Sequence, residues 1–241
     1  MIDWLKRSAR ETPVIEIDGQ VLPIVIRRLG NARRMTLRVA PDGSEVRLSL
    51  PRWGHTAEAL AFARSRRDWL AGQLAAVPKA QAPAPNGSIS YRGALLRIEH
   101  GPQGRRRPEL AEGAIRIGGP AESLATRLRR WLEAEARALL AEDLAFYCER
   151  AGRSAPRLAL SNARRRWGSC GPDGAIRINW RLVMAPDEVR RSVVAHEVAH
   201  LVHFDHSPRF HALLAELFDG NLAQANAWLK REGRGLYASF G

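Results

Sequence analysis

The 241-residue sequence predicts an α+β fold with a mainly β first half and a mainly helical second half. Before residue 120, short runs alternate apolar and polar residues, which is typical of half-buried strands. After residue 120, apolar residues recur at spacings of three and four, as in amphipathic helices. A proline-rich segment at about residues 78–88 is the strongest linker signal. We therefore expect a β-rich region at residues 1–120 and a second domain at residues 121–241.

The first half contains six runs with strand periodicity. They are Val14–Ile17 and residues 21–26, 35–39, 46–50, 89–99 and 114–117. Asp18-Gly19 and Pro41-Asp42-Gly43 are predicted to form the turns of two hairpins, because these residue types favour turn conformations. The spacing changes at about residues 56–76, where it predicts one helix with Thr56 as its N-cap.

The second half begins with one long helical pattern over residues 121–151, which Gly152 ends. Three short runs then predict strands at residues 157–160, 164–169 and 175–179, which we expect to form a small antiparallel sheet. Pro186 is expected at the first position of a helix that continues to about Phe204. Ser207-Pro208 marks the start of another helix, and a last helix is expected at about residues 222–231.

The charge of the chain is its most unusual bulk property. Lys and Arg outnumber Asp and Glu by 38 to 25, which gives a formal net charge of +13. Residues 1–120 carry 20 basic and 11 acidic side chains, whereas residues 121–241 carry 18 and 14. This excess indicates a nucleic acid or another polyanion as a partner of the basic N-terminal surface. An arginine-rich background without a function explains it equally well.

Other bulk features exclude several classes of protein. The first 13 residues lack the apolar core of a secretory signal, and no run approaches the ~20 apolar residues of a membrane span. Cys148 and Cys170 are too few for a disulfide framework or for a zinc site made of thiolates alone. We therefore expect a cytoplasmic protein with no membrane partner.

Residues His196-Glu197-Val198-Ala199-His200 form an HExxH motif on a predicted helix. Residues four apart on a helix lie ~6 Å apart along its axis and on one face, so both imidazoles can reach one metal ion. Glu197 is turned ~100° away from His196 and can contact a water molecule at that metal. The motif predicts a zinc hydrolase in which Glu197 is the catalytic base that assists attack by a metal-bound water.

A catalytic zinc site needs a third protein ligand, for which the sequence offers four candidates. They are His203, Asp205, His206 and His211. His203 lies a further turn along the same helical stripe, which spreads three ligands over ~10 Å, too far for one ion. His206 follows the expected turn and is the predicted ligand, while Asp205 is a candidate acceptor for a ligand imidazole.

Four segments of the second half together resemble one protein family. They are RWGSC at 166–170, INWRL at 178–182, HEVAH at 196–200 and HSPRF at 206–210. The chain is similar in these segments to the YgjP-like metallopeptidases, which are related to the SprT-like zinc proteases. The resemblance implies a zincin-like core in residues 121–241, with His196, His200 and His206 as metal ligands and Glu197 as the base. Val198 and His211 depart from the residues that the family usually has, and neither departure removes a ligand.

The resemblance also bears on substrate contacts. In zincins a strand edge lies beside the metal, and here Arg166, Trp167 and Gly168 would belong to it; His211 is a further candidate contact. The same segment is explained equally well by a structural hairpin that places Trp167 in the core. Two alternatives to a peptidase stay open: a metal-dependent nucleoside triphosphate pyrophosphatase, and a nucleic-acid-associated protein with SprT-like protease activity. The sequence has neither a phosphate-binding P-loop nor a recognised nucleic-acid-binding motif.

Overall fold

The computed structural model describes residues 12–40, 43–77 and 81–240, so the first residues and the turn residues Pro41 and Asp42 lie outside the described part. The chain forms two compact units, Met1–Pro78 and Lys79–Gly241. The α+β class is confirmed, because the described residues form three small mixed sheets and six helices. Among these helices, none is long and apolar enough to span a membrane.

The first unit is a four-stranded sheet with two helices. The strands are β1 (Val14–Ile17), β2 (Gln20–Leu29), β3 (Thr36–Val39) and β4 (Val46–Pro51), and they pair in the order β1-β2-β4-β3. Asp18 and Gly19 both have positive φ angles, 48° and 79°, as the predicted two-residue hairpin turn requires. Strands β2 and β4 are parallel, which brings their carboxyl ends together at one end of the sheet.

The single helix expected at residues 56–76 is two helices, α1 (Thr56–Ser65) and α2 (Arg67–Ala75), which meet at Arg66. The break lets both segments bury apolar residues in one cluster with the sheet: Ala59, Ala63 and Leu70 are fully buried there. The prediction of Thr56 as N-cap is wrong. His55 occupies the N-cap position, and the Thr56 hydroxyl accepts a hydrogen bond from Arg28 at 2.7 Å.

The second unit begins with a sheet that repeats the topology of the first. Its strands are β5 (Ser88–Tyr91), β6 (Ala94–Gly101), β7 (Glu109–Ala111) and β8 (Ala114–Gly118), in the order β5-β6-β8-β7. Arg92 and Gly93 form the β5–β6 turn, with φ angles of 49° and 81° that match those of Asp18 and Gly19. Both four-stranded sheets therefore combine one parallel and two antiparallel pairs in the same order.

This second sheet shares a core with the helical half. Ile89, Ile98 and Ile115 are buried in the same apolar cluster as Leu128 and Leu132 of the long helix. The boundary between the two compact units therefore lies at residues 78 and 79, at the start of the predicted linker. The domain boundary expected from the sequence is at residue 120. The reason is packing: the β5–β8 sheet has its apolar partner in the helical half of its own unit.

The rest of the second unit holds four helices and a small sheet. In chain order these are α3 (Leu124–Arg150), β9 (Leu158–Ser161), β10 (Gly168–Cys170), β11 (Ile176–Asn179), α4 (Asp187–Ala199), α5 (Pro208–Leu217) and α6 (Leu222–Glu232). Short 3-10 segments lie at Ala121–Ser123, Trp180–Met184 and Gly233–Tyr237. As predicted, α3 ends before Gly152, which has a φ of 63°.

The expectation of an antiparallel small sheet is wrong, because this sheet is mixed. Its order is β10-β11-β9, with β11 antiparallel to β10 and parallel to β9. The sequence predicts one strand over residues 164–169. In the structure, residues 162–167 form a loop tied to the end of β11, and the strand begins only at Gly168. The side chain of Asn179 donates to the carbonyl of Ala163 at 2.8 Å, and Arg181 donates to Asn162 Oδ1 at 2.5 Å.

A buried ion pair joins helices α3 and α4. Arg190 Nε lies 2.7 Å from Asp143 Oδ2, and both side chains are almost fully buried. Arg190 also pairs with Asp187, which in turn binds Arg92 in the β5–β6 turn. Gly93 in that turn lies against Pro186, where a Cβ would approach Pro186 Cα to 2.9 Å. The first turn of α4 is therefore fixed from two sides.

We expect Asp143→Asn to lower the free energy of unfolding by about 3 kcal/mol, because it leaves the Arg190 charge buried with only part of its compensation. Urea denaturation followed by circular dichroism measures this. The matched control is Glu133→Gln in the exposed Arg129–Glu133 pair on α3, which should cost about 0.5 kcal/mol or less. Equal effects of the two substitutions on the free energy of unfolding would show that the Asp143–Arg190 pair stabilises the fold no more than an exposed pair does.

Candidate metal centre and active site

Helix α4 carries the HExxH motif at its carboxyl end. Its buried residues Val194, Ala195 and Val198 pack in the core, and His196 and His200 both turn toward the surface with ring centroids 4.8 Å apart. The helix differs from expectation at both ends: Pro186 is its N-cap, and it ends at Ala199 and not near Phe204. The early end is what allows the chain to turn back toward the motif immediately after His200.

The turn brings His206 to the motif. Ser207 caps α5 by accepting a hydrogen bond from the Phe210 backbone N–H, and Pro208 follows at the start of the helix, as predicted. His206 Nε2 lies 3.3 Å from His196 Nε2. One ring nitrogen from each of His196, His200 and His206 lies within 4.8 Å of the others. The structure thus brings together the three histidines that the sequence singled out.

Phe210 is the part of this cluster that sequence reasoning missed. The residue is fully buried, and its ring centroid lies 5.0 Å from that of His196, 4.5 Å from His200 and 4.8 Å from His206. Phe210 therefore forms an aromatic floor against which all three imidazoles pack. Its position in the first turn of α5, directly after the Ser207-Pro208 helix start that follows His206, is the sequence signal that points to it.

The protonation state of the imidazoles suits a metal ligand. Burial and the neighbouring imidazoles lower the pKa of His196 to about 4, and burial lowers the pKa of His200. Both rings are therefore neutral near pH 7. His200 Nδ1–H donates a hydrogen bond to the carbonyl oxygen of His203, 3.1 Å away, which leaves Nε2 free as a ligand. This acceptor is the His203 carbonyl and not Asp205, whose carboxylate is bound by Ser207.

Glu197 is buried beside the small sheet. Burial raises the pKa of its carboxyl group to about 7, against the opposing effects of a hydrogen bond from the Cys170 backbone and of the nearby Arg166 charge. Strand β10 passes so close that a Cβ at Gly168 would lie 2.3 Å from Glu197 Oε1. Gly168 thus leaves the space that the Glu197 carboxyl group occupies, and its expected contact with substrate stays a prediction.

We expect Gly168→Ala to reduce turnover about 100-fold while metal content and fold are retained, because the added methyl group displaces the Glu197 carboxyl group by roughly 1 Å or more. Steady-state hydrolysis and metal analysis test this together. The matched control is Gly101→Ala, another strand glycine, where an added Cβ meets nothing within 4 Å. Normal activity of Gly168→Ala would show that turnover does not require the close packing of Gly168 against Glu197.

The other predicted contact residues lie around this centre. Trp167 packs against Tyr237 with ring centroids 5.7 Å apart and against Gly233, which favours its structural role. Arg166 is exposed, with its charge acting on Glu197. His211 is exposed, 6.3 Å from His206 between ring centroids, and lies outside the group of converging nitrogens.

One pair of donors has the separation that two ligands of a single metal ion require. Two nitrogens bound at ~2.05 Å to one tetrahedral ion lie about 3.3 Å apart, which is the separation of the His196 and His206 nitrogens. Three histidines are also a donor set that catalytic zinc sites use, with one position left for water or substrate. The cluster therefore offers three imidazole donors, within 4.8 Å of one another, to one metal ion.

Comparison with known proteins gives the family. A family model described as "YgjP-like, metallopeptidase domain" matches residues 33–232 of the chain. The chain belongs to the YgjP-like family. The match covers most of both units, including every residue of the histidine cluster. No curated protein and no solved structure matches the chain. At the level of the family, this YgjP-like protein is a metal-dependent peptidase, and its partner is a peptide substrate.

Proposed function

We propose that this YgjP-like protein is a zinc-dependent peptidase. In this proposal His196, His200 and His206 hold the metal, Glu197 is the catalytic base, and the second unit has a zincin-like arrangement. The observation that carries it is the convergence of three imidazole nitrogens, two of them from the HExxH motif, beside the buried carboxyl group of Glu197 in the same motif. Zinc is favoured over magnesium, calcium and manganese because the donors are three imidazoles and no carboxylate.

The bound ion would supply Lewis-acid chemistry toward the scissile carbonyl and toward water. Glu197 accepts a proton from the attacking water and donates it to the leaving amine. Burial raises the pKa of this carboxyl group to about 7, and the positive charge of a bound ion would lower it toward the carboxylate form that acts as the base. The hydrogen bond from the Cys170 backbone orients the carboxyl group during both transfers. The missing side chain at Gly168 leaves the space in which it lies.

Strand β10 is the proposed binding edge for the peptide. It is an edge strand, and its ladder with β11 is flanked by two backbone hydrogen bonds, from the Asn179 N–H to the Trp167 carbonyl and from the Gly171 N–H to the Ala175 carbonyl. Backbone groups alternate along a strand, so those of Gly168 face away from β11 and are available to an extended substrate. Arg166 and His211 flank this edge as contacts for substrate side chains. The substrate class is therefore an extended, unfolded segment of polypeptide.

The cysteines support a cytoplasmic location. Cys148 is buried, Cys170 is half-buried, and both are free thiols. Burial raises the pKa of each, which keeps both in the unreactive thiol form at neutral pH. Two unpaired, unreactive cysteines are typical of proteins in a reducing compartment.

A degenerate peptide library, analysed by mass spectrometry after incubation with zinc-loaded protein, tests the proposed function. We expect cleavage that a chelator abolishes and that zinc restores. The same preparation is assayed for pyrophosphate release from nucleoside triphosphates. Release of pyrophosphate without peptide cleavage would overturn the peptidase assignment in favour of the nucleotide hydrolase.

A further inference from the structure

The first unit carries a basic surface that the proposed peptidase chemistry does not use. Five exposed arginines and one exposed tryptophan lie where β2 and β4 end, where β3 begins and where α1 starts. This surface, the basic end of the sheet, consists of Arg27, Arg28, Arg33, Arg34, Arg52 and Trp53. We propose that it binds single-stranded nucleic acid, with the arginines contacting phosphates and Trp53 stacking on a base.

The topology explains why these side chains meet. Strands β2 and β4 run parallel, with Arg28 opposite Leu50, so the residues that follow both strands lie at one end of the sheet. Strand β3 runs antiparallel to β4, so the loop carrying Arg33 and Arg34 enters at this same end. A Cβ at Gly30, just after β2, would lie 3.7 Å from Arg52 Cδ, and Arg28 reaches Thr56 at the start of α1.

Within the described part of the chain, none of these five arginines forms an ion pair. The sequence contains no Asp or Glu from Gly19 to Pro41, and none from Val46 to Ala57. No described carboxylate lies within 4.0 Å of the five guanidinium groups; in the described part of the first unit, the ion pair that forms is Arg47 with Glu45. Five like charges at one place repel one another, and a bound polyanion removes that cost.

The start of α1 adds to the anion site. No side chain caps this ten-residue helix, since its N-cap residue His55 makes no side-chain capping hydrogen bond. The first turn contains one acidic side chain, Glu58, and its N–H groups lie beside Arg28, which donates to the Thr56 hydroxyl. A phosphate group placed there would be bound by backbone and guanidinium donors together.

Trp53 selects the class of polyanion. It is 76% exposed, the highest value among the large apolar residues exposed in the described chain, and it directly follows Arg52. Proteins that bind single strands expose aromatic rings beside basic residues, because every unpaired base offers a face for stacking. In a duplex the base faces are already stacked. An acidic polypeptide would use the arginines and leave Trp53 without a role.

Fluorescence anisotropy of the full-length protein with a labelled oligothymidylate of about 20 nucleotides tests the proposal, at salt concentrations from about 50 to 200 mM. One variant combines Arg33→Gln, Arg34→Gln and Arg52→Gln, and a second is Trp53→Ala. The matched control removes the same charge from a basic loop of the other unit, by Arg105→Gln, Arg106→Gln and Arg107→Gln. Thermal unfolding checks that each variant is folded.

We expect the wild type to bind, and the triple variant at the basic end to bind more weakly with a salt slope smaller by about 2, since each phosphate contact contributes about 0.7. Trp53→Ala should weaken oligothymidylate binding about tenfold and leave binding to a duplex within twofold of wild type. The control triple variant should stay within threefold of wild type.

Three results would overturn the proposal: no binding at about 50 mM salt, equal losses in the two triple variants, or no effect of Trp53→Ala on the single strand. Polyglutamate that competes as well as the oligonucleotide would instead assign the surface to an acidic polypeptide. None of these readouts depends on metal or on hydrolysis, so the proposal stands or falls independently of the peptidase.

Discussion

Glu197→Gln is expected to reduce peptide hydrolysis by about 10³-fold while zinc content stays unchanged. The amide has nearly the shape of the carboxyl group and fills the same buried space beside Gly168, but it cannot accept a proton from water. The three histidines are untouched, so metal binding persists. Zinc analysis by mass spectrometry and steady-state cleavage of a library-derived peptide measure the two properties on one sample.

The matched control for this variant is Glu188→Gln, at the opposite end of the same helix. The Glu188 side chain is exposed and accepts a hydrogen bond from the Asn221 backbone, which a glutamine oxygen also accepts. We expect this control to keep wild-type turnover. Full activity of Glu197→Gln would show that another group activates the water and would remove Glu197 from the proposed mechanism.

His206→Ala is expected to weaken zinc binding by more than about 100-fold. Loss of a residue that merely orients a ligand already costs 10- to 100-fold in metal affinity, so loss of one of three ligands should cost more. Its nitrogen lies 3.3 Å from that of His196, and no other described side chain completes a group of three with His196 and His200. Competition with a chromophoric chelator measures the affinity directly.

The same segment supplies two controls. His203→Ala keeps the backbone carbonyl that accepts from His200, and His211 lies outside the converging group. Both variants should bind zinc within about threefold of wild type. If His211→Ala lost zinc while His206→Ala kept it, the third ligand would be His211, and the peptidase proposal would survive with a corrected site.

Features that depend on local sequence were predictable here. The HExxH pair lies on one face because four residues make about one helical turn, and Ser207-Pro208 begins α5 because a hydroxyl cap and a proline both suit a helix start. The turn at Asp18-Gly19 follows from residue types that accept positive φ. Each of these depends on neighbours within about one turn of chain.

Features that depend on distant partners were not predictable in the same way. The small sheet is mixed because β9 pairs in parallel with β11, and the loop after β9 is tied to the end of β11 by Asn179. The helix at residues 56–76 breaks at Arg66 so that Ala63 and Leu70 can both reach one core. No periodicity within either segment encodes these partners, since the partners lie elsewhere in the chain.

The sequence by itself predicted the proposed chemistry, with three histidines as candidate metal ligands and Glu197 as the candidate base, and it determined the family of the chain. Only the tertiary structure decided how that chemistry is tuned. Burial against β10 raises the pKa of Glu197, Gly168 makes room for its carboxyl group, and Phe210 supports three imidazoles. The physical reason is that desolvation and close packing depend on atoms brought together from different elements, whereas helical spacing depends on the local chain alone.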